Sequence, residues 1–335
     1  MDRIRPAEPD QIWGSDIGED RWRSQVNHEV REDLLRLVDD LGAQPLAGIR
    51  HEDVAIQSFG PIAQGLETSL WGRSGPGFAI LEGVPVDGLT SLQVERLFWA
   101  IGLHLGALVT QSSREDLMGH VQRDPTASVH RGYKSSIELN PHTDMTPMSG
   151  LLCRRVARSG GESTVVCAGA VHDAVLRESP ELLAVCYQPF PVGRLNEQGP
   201  GEPGFDMYPI FARSADRIGI LWGRPMITQS QEFPDAPRLT DRQIEAMDLV
   251  ERTAARPELA FARQLGEGDL LLLANHRVLH SRTAFDDYDE PERRRHLLRL
   301  WFEPDLGPDV IPEATRYGYR YGRMGLRSGE VDGLR

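Results

Sequence analysis

The sequence predicts a mainly β protein with flanking helices, on three observations. After residue 130 the chain breaks into short apolar runs separated by Gly, Pro and Asp: YKSSIELN, GLLCRRVA, STVVCAG, RIGILWG, DLLLLANHRVLH and RRHLLRLWFE. These runs do not alternate with regular helical stretches, which favours a sandwich or barrel over a parallel sheet. The helical patterns that do occur, GAVHDAVLRESPELLAVC and TDRQIEAMDLVERTAAR, read as helices laid on that core.

Earlier in the chain, residues 1 to about 21 read as a loose leader. EVREDLLRLVDDLG puts Val30, Leu34, Leu37, Val38 and Leu41 on one helical stripe, with Gly42 placed to end the helix. GPGFAILEGVPV (75–86) is an apolar run bounded by Gly and Pro, and reads as a strand. SLQVERLFWAIGLHLGAL (91–108) has helical spacing, with His104 as a core or boundary residue. The stretch 192–207 is rich in Gly and Pro and reads as a loop. There is no internal repeat and no linker that divides the chain. The expected organisation is an N-terminal helical extension packed on the core (1–74), a core domain (75–304) and a tail (305–335) whose RYGYRYGRMG reads as a packing segment.

Hydrophobic residues make up 40% of the 335, enough for a sizeable core. The formal net charge of −13 argues against a nucleic-acid or membrane-surface partner, because phosphates would be repelled. It leaves a small anionic substrate open, since a local group of arginines overrides the global field. Cys153, Cys167 and Cys186 have no CxxC spacing and read as reduced thiols of a cytoplasmic protein. The polar N-terminal stretch has no apolar signal-like segment, and no run is long enough to span a membrane.

The chemistry concentrates in a few motifs. LNPHTDMTP carries His142 and Asp144. On a strand, residues two apart share a face roughly 6.6 Å apart, so the pair could hold one ion; an imidazole with a carboxylate suits Fe(II), Mn(II) or Zn(II). LLLLANHRVLHSRTAF offers His276 and His280. On a strand those lie about 13 Å apart, so only one reaches a given ion. Two histidines and a carboxylate leave three coordination positions open, as an iron oxygenase requires. RRRHLLRLWF places Arg295 and Arg299 four apart on one strand face. Inward arginines on an apolar strand need an anion, and the guanidinium fork matches a carboxylate. The competing reading is a surface ion pair with acids such as Glu292 or Asp289.

Taken in order, the HxD pair, SGGEST, NHRVLHSRTAF and RRRHLLRLWF resemble the Fe(II)/2-oxoglutarate-dependent dioxygenases of the taurine dioxygenase and clavaminate synthase-like superfamily, over roughly residues 75 to 304. The resemblance implies a double-stranded β-helix (jelly-roll) core. It implies Fe(II) held by His142, Asp144 and His280, the last preferred over His276 because it precedes an H-x-R-x-x-F tail. It further implies 2-oxoglutarate and O2 as co-substrates. Ser163 matches a hydroxyl that binds the 2-oxoglutarate carboxylate; Thr164 is the neighbouring hydroxyl, which strand alternation points the other way. Arg295 and Arg299 match two arginines of which one anchors the distal carboxylate and the other assists or meets substrate, with Arg299 favoured as the anchor. Asn275 and Arg282 would orient the loop and the distal ligand, or else be a strand-end hydrogen bond and a surface charge.

The implied activity is oxidation of an unactivated C–H of a small molecule, by hydroxylation or a related route such as desaturation, with release of succinate and CO2. An amino acid or another anionic metabolite is the expected class. Related halogenases carry a small apolar residue where Asp144 stands, which disfavours halogenation. On a regular strand Ser136, Glu138 and Asn140 share the face of His142, so Glu138 could bind a substrate amine or guanidine; a solvated glutamate is the plainer reading. Trp222 and Arg224 of LWGRPM could touch substrate, or be a core Trp beside an exposed Arg. Two alternatives remain, a Zn(II) hydrolase and a non-enzymatic cupin-like binding protein. The hydrolase lacks an evident general base and leaves Arg295 and Arg299 unexplained.

Overall fold

A computed structural model of the chain describes residues 4–112, 116–123, 135–196, 198, 201–214 and 217–305. Two sheets face each other. The larger runs in the order Arg23–Gln25, Phe78–Glu82, Leu270–Ala274, Met148–Arg155, His296–Glu303, Ala107–Val109, with Met118–Val121 also paired to His296–Glu303. All its pairings are antiparallel except that of the first two strands. The smaller sheet runs Ala260–Arg263, Ser163–Cys167, Val278–Arg282, Leu139–His142, all antiparallel.

Strand alternation explains why leucine-rich runs serve both faces of the larger sheet. Leu271, Leu273 and Leu297 point between the sheets, where they meet Val165, Cys167 and Val278 of the smaller one. Their neighbours Leu270, Leu272, Leu298 and Leu300 point outward under the helices His28–Leu41, Gly60–Trp71 and Ser91–Leu105. A strand covered on both faces needs no polar side, so the run reads LLLLA rather than alternating. The smaller sheet is covered in the same way. Val166 and Leu279 pack under the helices Ala168–Glu178, Pro180–Cys186 and Asp241–Ala254.

Local signals set the helix ends. The Asn27 side chain accepts from the Val30 N–H at 2.9 Å, and Gly42 ends that helix at φ 51°. Thr90 with Gln93, and Thr240 with Gln243, form capping boxes. GAVHDAVLRESPELLAVC is two helices rather than one. Ser179 caps the second, and Pro180 at its first position cannot continue the first. The helix Gly60–Trp71 is not legible in the sequence pattern, because two glycines and a proline lower its propensity.

The expectation of a loose leader is overturned from residue 4 onward. The Ala7 N–H donates to Asp173 Oδ1 at 2.9 Å, the buried Trp13 indole donates to the Pro76 carbonyl at 2.9 Å, and Arg23–Gln25 extends the larger sheet. Burying Trp13 and Trp22 offsets the entropy of ordering this segment. The RYGYRYGRMG stretch lies outside the described residues. Among the described residues, no helix is long and apolar enough to cross a membrane.

Candidate metal centre

His142 is the last residue of its strand and lies directly across from His280. Their ring centroids are 4.3 Å apart. Beyond the strand end the chain turns, and two clamps fix the turn. The Thr143 N–H donates to the Trp222 carbonyl at 2.8 Å, and the Trp222 N–H donates back to Thr143 Oγ1 at 3.1 Å. The Asp144 N–H donates to Asn275 Oδ1 at 3.1 Å, and Asn275 Nδ2 in turn reaches Ser149 Oγ at 3.3 Å. Asp144 therefore projects beside the two imidazoles from outside regular strand geometry.

One ligand atom from each of His142, Asp144 and His280 lies within 4.8 Å of the other two. Metal–ligand bonds of about 2.0–2.2 Å place such atoms roughly 3–4.4 Å apart, so small side-chain shifts bring all three onto one ion. His142 Nδ1 is 2.8 Å from the Asn140 carbonyl, which leaves Nε2 to coordinate. The His280 Nε2 is 3.9 Å from Asp144 Oδ2. Burial pushes His280 down to about 3, with His142 adding to the effect, so its ring stays neutral and available as a ligand. Burial by itself would raise Asp144. Arg299, the two histidines and the Trp301 indole together outweigh that and hold it below the usual carboxylate range. Its two oxygens accept from Arg299 Nη1 and Trp301 Nε1, each at 3.2 Å. This nitrogen–nitrogen–oxygen set fits iron(II).

His276 is not part of the cluster. It sits in the turn between Leu270–Ala274 and Val278–Arg282, fully buried, and its carbonyl accepts from the Ile220 N–H at 2.9 Å.

Beside the histidines lies a cleft between the two sheets, lined by Ser163, Arg282, Arg295 and Arg299 with apolar walls from Val121 and Leu271. Ser163 and Arg282 are directly opposite in register, so their side chains share the inward face. Thr164 does not line the cleft, and its hydroxyl pairs with that of Ser281. Arg295 enters just before its strand, with its N–H on Asp287 Oδ1 at 2.7 Å. Gly161, at φ 75°, makes room for it. A Cβ there would lie 3.0 Å from Arg295 Nε. This gives the second glycine of SGGEST two physical reasons to be glycine.

Arg299 is placed differently from Arg295. Its Nε donates to Gln111 Oε1 at 2.8 Å while Nη1 contacts Asp144. Gln111 was missed in the sequence, where nothing marks it. Trp301 could have been found, because it lies two residues past Arg299 on the same strand face.

Three expected substrate contacts are not in this cleft. Glu138 is exposed and outside it, because the pairing of Val278–Arg282 with Leu139–His142 shifts register and Leu139 faces the cleft instead. Trp222 is a core residue, only 1% exposed. Arg224 begins a helix and is ion-paired to Asp248 at 2.6 Å and Glu251 at 2.8 Å.

The chain matches the family model "Taurine catabolism dioxygenase TauD, TfdA family" over residues 42–301 and belongs to that family. It is an iron(II)- and 2-oxoglutarate-dependent dioxygenase. Among curated proteins it is similar to FR-33289 synthase of Streptomyces rubellomurinus, 27% identical, over 90% of this chain and 92% of that protein. Among solved structures it shares its fold with an asparagine oxygenase complexed with Fe(II), 2S,3S-3-hydroxyasparagine and succinate, at TM-score 0.66 and 17% identity, covering 84% of this chain and 93% of that one. The non-heme iron oxygenase OrfP, complexed with Fe, succinate and (3S)-hydroxy-L-Arg, aligns at TM-score 0.62 and 15% identity, over 85% and 94% of the two chains.

Proposed function

We infer that this dioxygenase hydroxylates, or otherwise oxidises, a C–H of a small amino-acid-like or anionic metabolite, with release of succinate and CO2. The two facing sheets support reading the core as a double-stranded β-helix. His142, Asp144 and His280 would hold the iron. With 2-oxoglutarate and O2, iron at those ligands supplies the oxidising chemistry.

The observation that carries the reading is the environment of Arg295. Its side chain is 4% exposed, and its Nη1 is buried without a hydrogen-bond partner among the described residues. A buried guanidinium in that state is costly unless an anion meets it. With the Ser163 hydroxyl on the same cleft, it fits the distal carboxylate of 2-oxoglutarate. This reverses the preference for Arg299, whose guanidinium is engaged with Asp144 and Gln111. Arg299 would instead hold the Asp144 carboxylate in its coordinating orientation and present positive charge toward substrate.

Asn275 would fix the Asp144 backbone from the opposite side. Among the described residues lining the cleft there is no carboxylate, and three of them are arginines. That supports an anionic group on the substrate, and the fold likeness to amino-acid oxygenases supports an amino-acid-like one. Glu138, Trp222 and Arg224 have no part in this reading. A hydrolase reading lacks a base, since no further carboxylate or histidine lines the cleft among the described residues.

The test is a screen of amino acids, sulfonates and phosphonates for substrate-stimulated succinate release, with product mass measured in excess chloride. An oxygenated or desaturated product is expected. A halogenated product from the unmutated protein would remove Asp144 from the iron, and no stimulation by any of the three classes would reject the substrate class.

A further inference from the structure

Arg282 has a job the family resemblance does not give it. It sits two residues after His280 on the strand Val278–Arg282, so both side chains enter the cleft from the same face. Two of its donors are spent on the backbone. Nε reaches the Thr283 carbonyl at 3.3 Å, and Nη2 the Ile137 carbonyl. The third group, Nη1, is buried with no hydrogen-bond partner among the described residues, as in Arg295. Both side chains are nearly inaccessible, 5% exposed for Arg282 and 4% for Arg295. Both guanidiniums lie over the Phe285 ring, their central carbons 4.7 Å and 5.2 Å from its centroid. Among the described residues, neither has an ion pair with a carboxylate.

Two like charges are thus held against one aromatic face, each with an unmet donor, on the cleft that Ser163 lines. The ring offsets part of the repulsion. It cannot meet the N–H donors, and a buried donor left unmade is costly. A single anion reaching both would satisfy two donors and cancel the repulsion at once.

We propose that Arg282 is a second binding arm for the distal carboxylate of 2-oxoglutarate, so that Arg282 and Arg295, plated on Phe285, form a two-guanidinium seat with Ser163. This rests on the reading of Arg295 given above. The bland alternative is that Arg282 serves only to tie the strand Leu139–His142 in place through its bond to Ile137. The two roles separate by ligand. A seat for the distal carboxylate concerns 2-oxoglutarate and is indifferent to 2-oxobutyrate, which has the same 2-oxo acid head but no distal carboxylate. A tie that shapes the whole site would affect both alike.

The experiment titrates Mn(II)-loaded Arg282→Gln, Arg282→Lys and Arg295→Gln proteins with each 2-oxo acid, following heat or tryptophan fluorescence, and records the Tm of each variant without 2-oxo acid. For Arg282→Gln the expected result is roughly tenfold or greater weakening of 2-oxoglutarate with 2-oxobutyrate unchanged. Arg282→Lys, which keeps the charge and loses the fork, should fall between it and the unmutated chain. Equal weakening of both acids, accompanied by a lowered Tm, would overturn the proposal in favour of the structural tie, and so would no weakening of either. Loss of 2-oxoglutarate selectivity in Arg282→Gln but not in Arg295→Gln would keep the second arm and reject the Arg295 reading instead.

Discussion

Replacing Arg295 by glutamine removes a charge that the fold has buried. Its backbone N–H on Asp287 is retained whatever the side chain, so the start of the strand His296–Glu303 should survive. Removing one partner of a buried, hydrogen-bonded charge pair costs about 2–5 kcal/mol, and each 1.4 kcal/mol is tenfold. The affinity of the Mn(II)-loaded protein for 2-oxoglutarate should therefore fall by about 30-fold to a few thousand-fold. The lower end is favoured, because Arg282 and Ser163 stay on the same cleft. Without 2-oxoglutarate the variant should be no less stable than the parent, since a buried charge with no ion pair among the described residues has been taken away. Arg299→Gln should behave otherwise. It loses a contact of 3.2 Å to Asp144, so its first effect should be on metal affinity. Calorimetric titration with Mn(II) and then 2-oxoglutarate reads both. Unchanged 2-oxoglutarate affinity in Arg295→Gln, with a large loss in Arg299→Gln at saturating metal, would refute the argument and return the anchor to Arg299.

The remaining expectations concern the metal and the pH dependence. His280→Ala should abolish metal binding, whereas His276→Ala should bind Mn(II) and lose stability instead; the reverse pattern would mean the wrong histidine has been chosen. Trp301→Phe keeps an aromatic ring but loses the N–H on Asp144 Oδ2, so metal affinity should drop about 10- to 100-fold. Equal affinity in the two proteins would show that the indole does not hold the carboxylate. Burial, helped by the neighbouring His120, pushes His296 down to about 3, so it is neutral in the folded protein over most of the pH range. The unfolded chain takes up that proton near pH 6.5, so this contribution to stability is whole above 6.5 and is lost as pH falls toward 3. The loss should be about 2 kcal/mol between pH 6.5 and 5. Urea unfolding at the two pH values should show a shallower fall for His296→Gln than for the parent, and identical falls would count against the assignment.

Residue identity and spacing alone mark which side chains can do the chemistry. Strand alternation told that Ser163 and Thr164 face opposite ways and that Arg295 and Arg299 share a face. These are local facts, fixed by the strand's period of two. The helix caps at Asn27, Thr90 and Thr240 are local in the same way. What faces those side chains is not local. Alternation placed Arg295 and Arg299 on one face, yet only the facing elements decide their different partners. Arg295 meets Gly161 and the cleft of Ser163, and Arg299 meets Asp144 and a glutamine 188 residues away in the chain. Glu138 shows the same limit. A register shift between two strands far apart in sequence turned Leu139 inward in its place. Trp222 and Arg224 show it again, one taken into the core and one into surface ion pairs by a helix packed from elsewhere. Periodicity sets the face a residue occupies, whereas the partner across that face is set by how distant segments pack, and that only the folded chain records.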